Sequence, residues 1–256
     1  MKVLVVIPAR YASTRFPGKP LALLGGKPIV EHVWERTRAV SDVSRVVVAT
    51  DDDRIMKAVE AFGGEAMMTS TAHRSGTDRC GEVLQRLENE GRDFDVVVNV
   101  QGDEPFVAPS QIETLVECFS REDVDIATLR TSIATLAELQ SPNNVKVVAG
   151  ADGCALYFSR QPIPYRRDEN PDAWLDHASY YKHVGIYAFR SQTLKEVCRL
   201  SPGVLEQCEK LEQLRWLEAG YAIWLKDTAH ANVGIDTPDD LLQAERILSE
   251  NAYKSE

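Results

Sequence analysis

Three cations, Arg10, Arg15 and Lys19, fall within ten residues that contain no acid, in a chain whose formal net charge is -10. Two planar guanidinium forks suit a phosphate, an ammonium adds a point charge, and Gly18 lets backbone come close. The chemistry on offer is the capture of a small polyanion. A solvated basic loop is the plain alternative, and the setting argues against it. The apolar run Val3-Leu4-Val5-Val6-Ile7, ending at Pro8, directly precedes the cations. Five residues cannot span a membrane; they read as a strand buried on both faces, and open parallel sheets bind ligands beyond the carboxyl ends of their strands.

Two carboxylates are placed in a comparable way. Asp103 follows the run Val96 to Val100, at a strand's carboxyl end where Gly102 allows a sharp exit. Asp236 precedes Thr237-Pro238-Asp239-Asp240, a helix start with a cap, a proline at the first position and acids in the first turn. Those features account for every residue there except Asp236. Ser75 and Gly76 lie before a helix expected over Asp78 to Asn89, with Thr77 as its cap. In the strand His183 to Phe189, alternation puts His183, Gly185 and Tyr187 on one face and Val184, Ile186 and Ala188 toward a core. The glycine leaves space between two large polar side chains.

Alternating elements must hold these groups in place. Ile29, Val30, Val33, Trp34 and Thr37 repeat at helical spacing; Arg45 to Asp51 is a strand; Ile55, Met56, Val59 and Phe62 mark a second helix ended by Gly63-Gly64. Short strands follow at Glu65 to Thr69 and Asp125 to Thr131, with a helix over Pro109 to Ser120 between them. Strand and helix in turn predict an α/β fold with a doubly wound, mostly parallel sheet. From Asn144 the texture changes: a hairpin of Val145 to Ala149 and Cys154 to Phe158, then a stretch, Ser159 to Lys182, without helical or strand period. Leu205 to Leu217 reads as one amphipathic helix with Leu211, Leu214 and Leu217 buried and Glu212 and Gln213 pointing elsewhere. Tyr221 to Lys226 is the last strand.

At 256 residues the chain can form one large α/β domain or two small ones, with an unstapled core. Its acidic balance argues against general nucleic-acid binding, which needs a broad basic face, but permits a local pocket for a small anion. Five scattered cysteines without metal-ligand spacing read as reduced thiols, and there is no apolar run of eighteen residues and no leader pattern. The expectation is a cytoplasmic protein with no membrane insertion. Gly-x-Gly-x-x-Gly is missing after the first strand and no Walker lysine motif replaces it, which argues against a dinucleotide-dependent oxidoreductase.

The stretch Pro8-Ala9-Arg10-Tyr11-Ala12-Ser13-Thr14-Arg15-Phe16-Pro17-Gly18-Lys19-Pro20-Leu21 resembles the signature of the 3-deoxy-manno-octulosonate cytidylyltransferases, as do Ser75-Gly76-Thr77, Gln101-Gly102-Asp103-Glu104-Pro105, Leu211-Glu212-Gln213-Leu214-Arg215 and the placement of Asp236. The resemblance implies the nucleotide-diphospho-sugar transferase type of sheet, with an arm from the aperiodic stretch that makes a homodimer. It implies transfer of CMP from CTP to 3-deoxy-D-manno-octulosonate (Kdo), with release of pyrophosphate, for lipopolysaccharide synthesis. Residues 1–131 would serve mainly as the nucleotide half and 144–256 as the sugar and dimer half of a single domain. Carried over residue by residue, the catalytic set is Lys19, Arg10, Asp103 and Asp236, the two aspartates holding Mg²⁺. Nucleotide contacts fall on Ala9, Arg10, Arg15, Lys19, Arg74, Ser75, Gly76 and Gln101, and sugar contacts on Gln101, Arg160, His183, Tyr187, Glu212 and Gln213. Nothing is carried over from 166–181, where the likeness is weak. Two alternatives stay open: a related acidic sugar, 8-amino-Kdo or a sialic acid, and a non-catalytic nucleotide-binding regulator.

Overall fold

Runs of valine and isoleucine form the strands of this chain, and helices with one apolar stripe cover them. The structure, a computed structural model, describes residues 1–230 and 233–253. In chain order the first elements are β1 (Val3–Ala9), β2 (Leu23–Leu24), β3 (Lys27–Pro28), α1 (Ile29–Arg38), β4 (Val43–Thr50), α2 (Asp53–Ala61), β5 (Ala66–Met68), α3 (Gly76–Asn89), β6 (Val96–Asn99) and α4 (Pro109–Cys118). There follow β7 (Ile126–Ser132), α5 (Leu136–Gln140), β8 (Lys146–Ala149), β9 (Ala155–Ser159), α6 (Trp174–His177), β10 (Tyr181–Arg190), α7 (Ser191–Val197), α8 (Val204–Glu209), α9 (Gln213–Glu218), β11 (Ile223–Asp227) and α10 (Pro238–Tyr253). The architecture is mixed α/β with mostly parallel central strands. Among the described residues no helix is long and apolar enough to cross a membrane.

The chain divides into two compact units, Met1–Glu113 with Asn232–Glu256, and Thr114–Ala231. The first is therefore discontinuous. The segment with Asp236, placed by sequence in the second half, packs with the opening strands. The reason is apolar: Ile235 is fully buried in one cluster with Leu24, Ile29 and Ala244. Strands of this unit run β6-β1-β4-β5, each parallel to its neighbour. Val3 to Ile7 are wholly inaccessible, as a strand covered on both faces requires.

β1 does not stop at Pro8, as the sequence suggests, but continues to Ala9. The carbonyl of Pro8 accepts from Gly102 N at 3.2 Å on the β6 side, where the ladder has already ended at Val6 and Asn99. The missing proline N–H faces that same side and breaks no ladder bond. The helix after Ser75 also starts earlier than expected. Ser75, not Thr77, is its cap: Ser75 is extended and its hydroxyl accepts from Asp78 N at 3.1 Å. Thr77 is instead buried inside the first turn.

In the second unit the strands run β11-β7-β10, with β8 on β10 and β9 on β8; only β11 and β7 are parallel. The expected hairpin is β8 and β9. The aperiodic stretch holds a 3-10 turn at Pro171–Ala173 and the short α6, pinned by Trp174 packing with Ile133, Leu139 and Tyr180. The single helix expected over Leu205 to Leu217 is two. Lys210 adopts φ 56°, a left-handed conformation that ends α8. The break changes the helical phase, so Gln213 and Trp216 are buried while Leu217 is only half-buried.

Candidate active site

The loop after β1 is folded back on itself by Gly18 N, which donates to Tyr11 O at 2.9 Å. Gly18 has φ 71°, and a Cβ there would sit 3.0 Å from the Tyr11 ring, so both backbone and space call for glycine. The same ring carries the Arg54 guanidinium 3.3 Å from its centroid, itself held by Asp52 at the start of α2. A 3-10 turn over Lys19–Leu21 then turns the lysine inward until 9% of the residue is exposed.

The Lys19 ammonium donates to Asp103 Oδ2 at 2.5 Å and to Asp236 Oδ1 at 3.1 Å. Two carboxylates far apart in sequence thus converge on one nitrogen. Two backbone features bring them there. Gly102 passes so close to β1 that a Cβ would lie 2.7 Å from Pro8 O, which lets the β6 loop cross the end of β1 and carry Asp103 to the lysine. Ile235 N donates to Asp103 O at 3.0 Å, which fixes the next residue, Asp236, beside it. Thr237 and Asp240 cap α10 reciprocally, Thr237 N to Asp240 Oδ2 at 2.8 Å and Asp240 N to Thr237 Oγ1 at 3.2 Å. Arg15 reaches Asp236 Oδ2 at 3.1 Å from the solvent side.

These groups line one cleft of about 310 Å³, within the first unit. Ala9, Arg10, Arg15, Lys19, Arg74, Ser75, Gly76, Gln101, Asp103 and Asp236 all face it. Every nucleotide, catalytic and metal candidate from the sequence is among them. Arg10 and Arg74 are exposed and form no ion pair among the described residues, so their guanidinium groups are available to a ligand. The start of α3, capped by Ser75, adds N–H groups and the positive end of a helix dipole. Gln101 donates through Nε2 to the buried Asn99 at 3.1 Å.

The remaining candidates lie in the second unit. Tyr187 is 7% exposed, and its hydroxyl has no hydrogen-bond partner among the described residues; burial, then the charge of Glu212, pushes its pKa well above the usual phenol value. The His183 and Trp216 rings lie 5.2 and 5.0 Å from it, and Trp216 Nε1 is likewise buried without a partner. His183 retains some surface, but its ring packs edge-on against Phe158, and desolvation pushes its pKa down to about 3. Gln213 is 5% exposed, and Glu212 stands beside it at the start of α9. Arg160 does something else. Its Nε donates to Glu209 O at 2.7 Å and its Nη1 to Pro142 O at 2.9 Å, so the guanidinium ties the end of α8 to the loop before β8 by their carbonyls. With Ser159 and Arg160 N both bonding the Glu209 carboxylate, the same contacts hold the end of α8 where Lys210 breaks it.

Known proteins resemble this chain along its length. A family model described as cytidylyltransferase matches residues 4–227. Proteins named 3-deoxy-manno-octulosonate cytidylyltransferase from Parabacteroides distasonis and Bacteroides thetaiotaomicron are each 50% identical to it, over 97% of this chain and 99% and 98% of theirs. The chain belongs to the 3-deoxy-manno-octulosonate cytidylyltransferase family. A solved structure of CMP:2-keto-3-deoxy-manno-octonic acid synthetase complexed with CTP aligns with a TM-score of 0.90 at 44% identity, covering 98% of this chain and all of that one. A 4-diphosphocytidyl-2C-methyl-D-erythritol synthase from Anaerococcus prevotii, 14% identical over 97% of this chain and 96% of its own, shares the fold with a TM-score of 0.58.

Sequence reasoning overlooked Glu104, next to Asp103, and two residues, His73 and Arg79, that line the cleft of this cytidylyltransferase. His73 lines it with Nε2 held 2.5 Å from Glu82, whose carboxyl burial would raise but which the Ser70 N–H, His73 and Arg86 hold below its ordinary value. Arg79, 4% exposed, donates to Thr69 Oγ1 at 2.7 Å and Asp51 Oδ2 at 2.5 Å. A charged residue on the buried face of a helix was its one visible signal. Glu104 has its carboxyl pushed up to about 8, by burial first and then by the Asp103 charge, against the opposing pull of Lys19. Burial thus disfavours its charged form, and the carboxylates that converge on Lys19 to offer a place for a divalent ion are those of Asp103 and Asp236. Mg²⁺ uses one or two carboxylates and completes its shell with water and phosphate oxygens. Two aspartates that already converge on one cation fit that donor set.

Proposed function

We propose that this chain transfers CMP from CTP to Kdo in a single displacement assisted by Mg²⁺, supplying CMP-Kdo for lipopolysaccharide synthesis. The observation that carries this reading is the convergence of Lys19, Asp103 and Asp236 in a cleft rimmed by Arg10, Arg15 and Arg74. The oxygen of a sugar hydroxyl forms the new bond to the α-phosphorus as its proton passes to water, and the bond from that phosphorus to pyrophosphate breaks. Transfers of this type need little covalent help from protein; positioning and charge stabilisation carry most of the rate. Arg10, Arg15 and Lys19 offset charge on the triphosphate, and the N-terminal end of α3 with Ser75 and Gly76 orients the nucleotide. A Mg²⁺ ion held by Asp103 and Asp236 would neutralise charge developing on the phosphate oxygens.

On the sugar side, the buried Tyr187 hydroxyl and Trp216 N–H support a polar ligand, because such groups are costly to leave without partners. Gln101, His183, Glu212 and Gln213 complete the set carried over from the family. Arg160 keeps a place in it only through the N–H groups that its carbonyl contacts leave over. A cytoplasmic homodimer is part of the same proposal, supported for the compartment by five free thiols.

The test is pyrophosphate release from CTP and Mg²⁺ with a panel of acidic sugars. Release with Kdo above that with 8-amino-Kdo or a sialic acid is expected. Binding of CTP with no release for any sugar would leave a nucleotide-binding regulator, and a preference for another sugar would replace Kdo.

A further inference from the structure

Thr128 lies in the middle of β7, with no accessible surface. Opposite it the register of β10 slips: Val184 pairs with Leu129 and Tyr187 with Thr128, so Gly185 and Ile186 bulge out of the ladder. The bulge withdraws carbonyls from regular pairing. The Thr128 hydroxyl lies 2.7 Å from Ile186 O, 3.2 Å from Val184 O and 2.9 Å from His183 Nε2. A hydroxyl has one proton, and carbonyl oxygens can only accept. The proton goes to the nearer carbonyl of Ile186, and Oγ1 turns a lone pair toward His183. Nε2 must then carry a proton, and the packing of the ring against Phe158 disfavours the doubly protonated form, which leaves Nδ1 as the acceptor. Nδ1 makes no hydrogen bond among the described residues.

We propose that Thr128 is a positioning residue, which sets the bulge of β10 and holds His183 as the neutral Nε2–H tautomer so that Nδ1 accepts a hydrogen bond from a hydroxyl of the sugar. The sugar half of this inference rests on the function proposed above; the tautomer half does not. The consequence is a division of labour. A neutral acceptor attracts a hydroxyl and repels a carboxylate, so His183 reads a hydroxyl of the acidic sugar and leaves its carboxylate to other groups.

The experiment uses the full chain labelled with ¹⁵N-histidine. Long-range ¹H–¹⁵N spectra at pH 7 report the tautomer, with His183→Gln identifying the His183 signals among those of the five histidines. The wild type and Thr128→Ser are expected to show Nε2–H, and Thr128→Val to lose that preference. In steady-state assays Thr128→Val should raise KM for the sugar about tenfold with KM for CTP unchanged, while Thr128→Ser stays within about twofold of wild type. A wild-type His183 protonated at Nδ1, or on both nitrogens, overturns the assignment even if Thr128→Val fails to fold. The assigned tautomer together with an unchanged KM for the sugar in Thr128→Val overturns the role in sugar binding. Neither result touches the transferase reading, which fails only if no sugar releases pyrophosphate.

Discussion

Replacing Lys19 with methionine tests the charge arrangement directly, because methionine keeps much of the buried stem and removes the cation. The ammonium lies 2.5 and 3.1 Å from two carboxylates, and its side chain is 11% exposed. Without it, Asp103 Oδ2 and Asp236 Oδ1, held 2.5 and 3.1 Å from one nitrogen and so at most 5.6 Å from each other, lose the charge between them. At an effective dielectric constant near 20 their repulsion is about 3 kcal/mol. Asp236 is 52% exposed, so solvent screens part of this, and we expect a net destabilisation of about 1–2 kcal/mol, or about 3–6 °C in melting temperature. Millimolar Mg²⁺ without nucleotide should then raise the melting temperature of Lys19→Met more than that of wild type, where the ion must compete with the lysine for both carboxylates. Thermal melts of both proteins with Mg²⁺ and with EDTA provide the readout. A variant that melts with the wild type, or Mg²⁺ shifts equal in the two proteins, would refute the reasoning.

Asp103→Asn and Asp236→Asn should each lower turnover by at least about a hundredfold, close to 2.7 kcal/mol on the barrier, in steady-state assays at saturating Mg²⁺. Near-normal turnover of either folded variant would remove it from the metal assignment. Gly102→Ala forces a methyl group against Pro8 O and should displace Asp103; kcat is expected to fall about tenfold or more while circular dichroism reports an intact fold. The desolvated ring of His183 predicts acid sensitivity. Its pKa of about 3 lies below the unfolded value near 6.5, so from about pH 6.5 downward the unfolded chain takes up a proton that the folded chain does not. Stability present above that range is lost as pH falls, by about 1–2 kcal/mol between pH 7 and 5. In urea titrations the stability of wild type relative to His183→Gln should fall by that amount from pH 7 to pH 5, since Glu104 and the other groups titrate alike in both proteins.

The nucleotide cleft could be read from the sequence because its parts obey a local rule. Arg10, Arg15, Lys19 and Asp103 each follow an apolar run, and the carboxyl ends of parallel strands gather on one side of a sheet. Asp236 could be suspected because the helix cap explained its neighbours and not itself. What could not be read was pairing. Nothing local says that Lys19 bonds both aspartates, or that Glu104 is desolvated beside them. The capping of α3 was misjudged by two residues, since Ser75 and Thr77 are both competent caps and packing of Thr77 decided between them. The split at Lys210 was invisible because apolar spacing continues across it, while the contacts that impose it come from Ser159 and Arg160 on the hairpin. Likewise, simple alternation along β10 is correct for His183 and Tyr187 but cannot show a bulge, which depends on the partner strand.

The discontinuity of the first unit bears on biosynthesis. Its opening strands and the stretch around Ile235 are separated by the whole of Thr114–Ala231. A ribosome must therefore have translated all of Thr114–Ala231 before Asp236 can reach Lys19. Until then the nascent cradle has its lysine and one aspartate but no second carboxylate, and a truncated product stays in that condition. The acidic pair forms only after the whole of the second unit has been made.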